Sequence, residues 1–127
     1  MQPKMSSGLK TWFVVHAAID YIFGLPLLLI PIKFMTLLGW QTIDPLTTRL
    51  LGAALIAIGT ISYITRNEDT NVYRNILKLK ITWSVTAILG IILTIIQGAP
   101  KLIWAILIIF ILFTAIWNYY FIKNFRK

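Results

Sequence analysis

Four long apolar runs separated by short polar stretches set the pattern of this sequence. Each is near the ~20 apolar residues that a helix needs to cross the hydrocarbon of a bilayer. They place spans at about 11–30, 45–65, 78–97 and 101–122. The first follows a short tail with Lys4 and Lys10. A signal peptide starts in the same way, but this run is too long, carries His16 and Asp20 and lacks a clear small-residue cleavage site, so it reads as a retained span. Pro26 removes a backbone donor inside it, and Pro31 is expected to end it.

Between the first two spans, Ile32 to Trp40 is apolar but interrupted by Lys33 and closed by Gly39-Trp40. It reads as an interfacial half-helix with its tryptophan at headgroup level. The second span has a sharp start, with Asp44 as N-cap and Pro45 at the first helical position. Helical periodicity then puts Thr48, Gly52, Gly59 and Ser62 near one line, with Ala53 and Ala57 beside it. Small residues let backbones approach closely, so this face is expected to pack on other helices. The pattern from Val72 is helical to Gln97, with the spanning part beginning near Lys80. There Lys80, Trp83, Ala87, Gly90 and Thr94 form a second seam, before Gly98-Ala99-Pro100 turns the chain. The fourth span is rich in Ile, Leu and Phe and ends in Trp117, Tyr119 and Tyr120, suited to an interfacial aromatic belt.

Composition fixes the class. The chain has 127 residues, 58% of them hydrophobic and 13% charged, with a mean hydropathy of +0.81. It reads as a single-domain, all-α integral membrane protein, an up-down four-helix bundle with an interfacial half-helix after the first span. The absence of cysteine excludes disulfides, thiolate chemistry and iron–sulfur clusters. One histidine and four carboxylates are too few for an ordinary metal centre, and no cofactor is expected. The net charge of +8 does not point to nucleic acid, because the cations flank apolar runs and there meet anionic lipid headgroups. Lys4, Lys10, Arg66, Arg74, Lys78, Lys80, Lys123, Arg126 and Lys127 fall on one side, and Lys33, Arg49 and Lys101 on the other. That bias puts both termini in the cytoplasm and the protein in the cell membrane.

The candidate chemistry lies in polar groups inside the spans. Asp20 lies ~14 Å along the first helix from Thr11, near mid-membrane, where a carboxylate must be protonated or matched. His16 is four residues away on the same face. Lys80 and Asn118 are expected at about the depth of His16, giving a candidate ligand-binding cluster of His16, Asp20, Lys80 and Asn118. One reading is a proton-titratable or headgroup-binding pocket open to the cytoplasm. The other is internal satisfaction of polar groups between helices. Lys80 near a helix end is able to snorkel to water, and Arg49 to reach the outer headgroups. No phosphate loop, GxSxG or HExxH occurs, so no catalytic residue is assigned.

The segments His16-Ala17-Ala18-Ile19-Asp20-Tyr21-Ile22-Phe23-Gly24-Leu25-Pro26, Leu38-Gly39-Trp40, Asp44-Pro45, Arg49-Leu50-Leu51-Gly52-Ala53-Ala54 and Lys80-Ile81-Thr82-Trp83-Ser84 together resemble small four-span membrane proteins of bacteria and archaea. The chain is also loosely similar to DoxX-like proteins, through the start of its second span and its four-helix length. Because some DoxX-like proteins are subunits of quinone-linked oxidoreductases, the resemblance implies an accessory role near a lipid-soluble electron carrier. It carries over no catalytic residue. Two functions are thus expected: an accessory subunit that associates with itself or a larger membrane complex, or a binding or transport module for a quinone or lipid.

Overall fold

The computed structural model describes residues 5–126. Among them the regular structure is entirely helical: α1 (Ser7–Leu29), α2 (Pro31–Leu37), α3 (Pro45–Ile64), α4 (Thr70–Gln97) and α5 (Ile103–Phe125). Lys4 and Lys127, counted above among the cytoplasmic cations, lie outside the described residues. The chain divides into two compact units, Met1–Thr70 with α1 to α3 and Asn71–Lys127 with α4 and α5. α1, α3, α4 and α5 are long and apolar enough to cross a membrane.

Helix ends follow local chemistry. α1 starts earlier than its apolar run because Ser6 caps it, its hydroxyl accepting from the Leu9 amide at 3.4 Å. The apolar run marks the hydrocarbon-spanning part, and the capped helix extends beyond it. α1 runs through Pro26 and stops at Leu29. Pro31, which has no amide proton to donate, takes the first position of α2. α2 ends in a Schellman motif: the Gly39 amide donates to Thr36 and the Trp40 amide to Met35, at 3.0 and 3.1 Å. That geometry needs the positive φ of Gly39, 98°. Asp44 then caps α3, its Oδ1 accepting from the Thr47 amide at 3.0 Å, with Pro45 at the first position.

In the first unit α1 and α3 pack antiparallel through their small residues. A Cβ placed on Gly52 would stand 2.8 Å from both the Gly24 carbonyl oxygen and the Leu28 amide nitrogen. One placed on Gly59 would stand 2.9 Å from the Asp20 Cβ and 3.2 Å from the Ala17 carbonyl oxygen. Backbone therefore meets backbone at two places along the crossing. Gly52, Leu55, Gly59 and Ser62 are the buried residues of α3, whereas Ala53 and Ala57, expected beside that line, are exposed.

In the second unit, the Lys80 ammonium lies 4.9 Å from the Trp117 ring centroid and the Arg74 guanidinium 5.2 Å from that of Phe125. These contacts join the early part of α4 to the late part of α5, as an antiparallel hairpin requires. Gly98, with φ of 100°, lies in the connection. Farther along α4 the surface is open: Gly90 is exposed, and a Cβ added there would meet nothing within 4 Å.

Candidate functional site: a buried histidine–aspartate pair

The site begins with spacing on α1. Residues four apart on a helix lie one above the other, so His16 and Asp20 share a face. Both are buried, at 8% and 4% exposure, and His16 Nδ1 lies 3.0 Å from Asp20 Oδ2. No other donor reaches Oδ2. The contact is a hydrogen bond when one proton lies between the two atoms, carried by Nδ1 or by the carboxyl. Gly59 makes this depth accessible, because any larger residue would push the α1 backbone at Asp20 away from α3.

Two further ties hold the frame, and neither was among the sequence expectations. The Thr60 hydroxyl donates to the Ile56 carbonyl at 2.7 Å. Its single proton is used there, so the Tyr21 hydroxyl donates to Thr60 Oγ1 across the α1–α3 crossing. The available signal was adjacency: Tyr21 follows Asp20, and Thr60 follows the glycine against which Asp20 packs. At the other end of the crossing, Arg49 Nε donates to the Leu28 carbonyl at 3.2 Å. Arg49 is exposed, as a headgroup-facing arginine would be, yet it also satisfies a carbonyl at the irregular end of α1.

Of the four candidate cluster residues, His16 and Asp20 belong to the first unit and Lys80 and Asn118 to the second. Lys80 is 1% exposed, so it does not snorkel. Its ammonium meets the face of Trp117, itself stacked on Phe113 with centroids 5.6 Å apart. An indole face attracts a desolvated cation by as much as ~2 kcal/mol, a reason for the stem to turn inward. The Asn118 side-chain amide donates to the Thr114 carbonyl of its own helix at 2.8 Å. The hydroxyls of Ser84, Thr86 and Thr94 likewise donate to carbonyls of their own helix. The later part of the α4 seam, Ala87, Gly90 and Thr94 with Thr86 beside it, therefore presents small residues whose hydroxyls are bonded within the helix, which a lipid or another helix can cover without stranding a proton.

In the first unit the pair can hold a proton between an imidazole and a carboxyl; in the second, an aromatic face holds a cation. No group of three or more histidine, aspartate or glutamate residues able to hold a metal occurs among the described residues. Four helices long and apolar enough to cross a bilayer define a class, the multi-pass α-helical membrane proteins. Comparisons with protein families, curated proteins and solved structures return no match to this chain.

Proposed function

We propose that the chain is an accessory protein of the cell membrane, acting by helix–helix association with itself or with a larger membrane complex. One contrast carries the reading. The most apolar windows of α1 and α3 are 33% and 28% buried inside the chain, against 11% in α4 and 17% in α5. Gly24 of α1 and Gly52 and Gly59 of α3 each lie against the neighbouring helix, while Gly90 on α4 faces open space among small residues. Bare apolar surface alone is what lipid requires. A small-residue seam within it has the composition of a helix-packing face. The loose resemblance to DoxX-like proteins supports the same role.

The orientation that goes with this reading has the four spans crossing alternately as an up-down bundle, with both termini in the cytoplasm. The uneven distribution of cations supports it. A second reading, a module that binds a quinone or lipid, draws support from the buried His16–Asp20 pair, since intramembrane ionisable groups often mark ligand or proton sites.

The test is native mass spectrometry and in-membrane cross-linking of the full chain, compared with Gly90→Leu. Association of fixed stoichiometry that Gly90→Leu weakens, with helicity unchanged, is the expected result. A wild-type protein that stays monomeric at every concentration and forms no cross-linked species in its own membrane would overturn the accessory reading. Loss of a co-purifying amphiphile in Asp20→Asn would favour the second.

A further inference from the structure

A separate feature of the first unit combines charge and apolar surface where a lipid needs both. A groove of about 300 Å³ is lined by Lys10, Thr11, Val14 and Val15 of α1 and by Arg66 and Asn67 of the loop after α3. The lining holds two cations and no carboxylate; Glu68 and Asp69 follow in the loop but do not line it. We propose that this groove binds an anionic phospholipid, its phosphate between Lys10 and Arg66 and the upper part of an acyl chain along Val14 and Val15. This assignment does not depend on the accessory role above.

Depth along the helix is the first argument. Lys10 and Val14 are one turn apart, so the valines lie ~6 Å farther along α1, toward the hydrocarbon. Val14 and Val15 are 40% and 37% exposed, leaving apolar wall for a chain to cover. A phospholipid presents its charge and its hydrocarbon in that order, whereas a free phosphate would meet the same cations and leave the valines uncovered.

Preorganisation is the second. Arg66 Nη1 donates to the Tyr63 carbonyl at 2.7 Å, and its guanidinium carbon lies 3.9 Å from the Tyr63 ring centroid. The side chain is therefore held at the end of α3 before any lipid arrives, which lowers the ordering cost of binding. A planar guanidinium beside an ammonium suits a phosphodiester, as does the basic rim expected at a cytoplasmic membrane face.

The experiment uses the full chain in nonionic detergent, loaded with phosphatidylglycerol or phosphatidylcholine, and reads retained lipid by native mass spectrometry. Wild type should retain phosphatidylglycerol preferentially. Lys10→Gln and Arg66→Gln should each lower that preference about fivefold, and the double variant on the order of 30-fold. Lys10→Arg should preserve it, and Lys78→Gln, an exposed cation outside the groove, should leave it unchanged. Circular dichroism confirms that each variant keeps its helices. Equal retention of the two lipids by wild type would overturn the proposal, as would an equal loss in Lys78→Gln. Displacement of bound lipid by equimolar glycerol phosphate would overturn it too, by showing a site for free phosphate.

Discussion

Replacing Gly52 by alanine adds one methyl group, and its effect is decided by backbone atoms that cannot turn away. The new Cβ would lie 2.8 Å from the Gly24 carbonyl oxygen and the Leu28 amide nitrogen, and 3.0 Å from the Leu27 Cβ. Ordinary contact begins near 3.4 Å, so α1 and α3 must part by ~0.6 Å. A gap of that size forfeits a quarter to a half of the dispersion energy of the atom pairs it separates. Dispersion matters more here than in water, because lipid gives two apolar helices no hydrophobic reason to associate. Overpacking of this kind costs ~1–3 kcal/mol. The alanine recovers ~0.5–1 kcal/mol of helix propensity, leaving a net loss on the order of 1 kcal/mol. Gly90→Ala gains the same propensity and meets nothing within 4 Å, so it should be neutral or slightly stabilising. Gly24→Ala should fall between them, since its nearest obstacle at 2.9 Å is the Ile56 side chain, which can change rotamer. Reversible unfolding in mixed micelles, followed by circular dichroism as the denaturing detergent is raised, measures all three. Equal stability of Gly52→Ala and Gly90→Ala would refute the close backbone crossing on which this reasoning depends.

The buried pair and the hydroxyl tie can be tested in the same assay. His16→Ala leaves Asp20 Oδ2 buried without its partner, for a loss of ~1–3 kcal/mol, whereas His16→Ala combined with Asp20→Ala should cost less than the two single changes together. Strictly additive effects would show that the pair is not coupled. Tyr21→Phe should cost about 0.6 and at most ~1.7 kcal/mol, and adding Thr60→Val should cost little more. Independent losses in the two variants would rule out their mutual hydrogen bond.

What the sequence disclosed was largely what solvent dictates. Apolar runs located all four long helices, because crossing hydrocarbon demands length and composition that nothing else in a short chain needs. Asp44-Pro45 and Gly39 marked helix ends by rules local to a few residues, and the structure uses them as caps. The start of α1 at Ser7 was less visible, since a helix leaving the hydrocarbon carries no apolar signature and depends on one serine cap.

Partnership is a different kind of information from periodicity. Gly52 and Gly90 stand in similar small-residue seams, yet one is pressed against backbone and the other faces open space. Nothing on either helix distinguishes them, because the deciding atoms belong to another segment of the chain. The Arg49 contact with Leu28 has the same origin: an arginine in the first turn of a span reads as headgroup-facing until the irregular end of α1 is placed beside it. Of the two courses open to Lys80, inward or snorkelling, a partner again decides, since an aromatic face within 5 Å of its ammonium competes with water. His16 and Asp20 were legible as a pair because both lie on one helix four residues apart, so their contact needed no knowledge of a partner. What α3 adds is the glycine that lets the Asp20 side chain sit at the crossing, where His16 Nδ1 is the group within 3.0 Å of its Oδ2. The burial of the pair therefore turns on the α1–α3 spacing, the quantity that Gly52→Ala would alter without touching either titratable side chain.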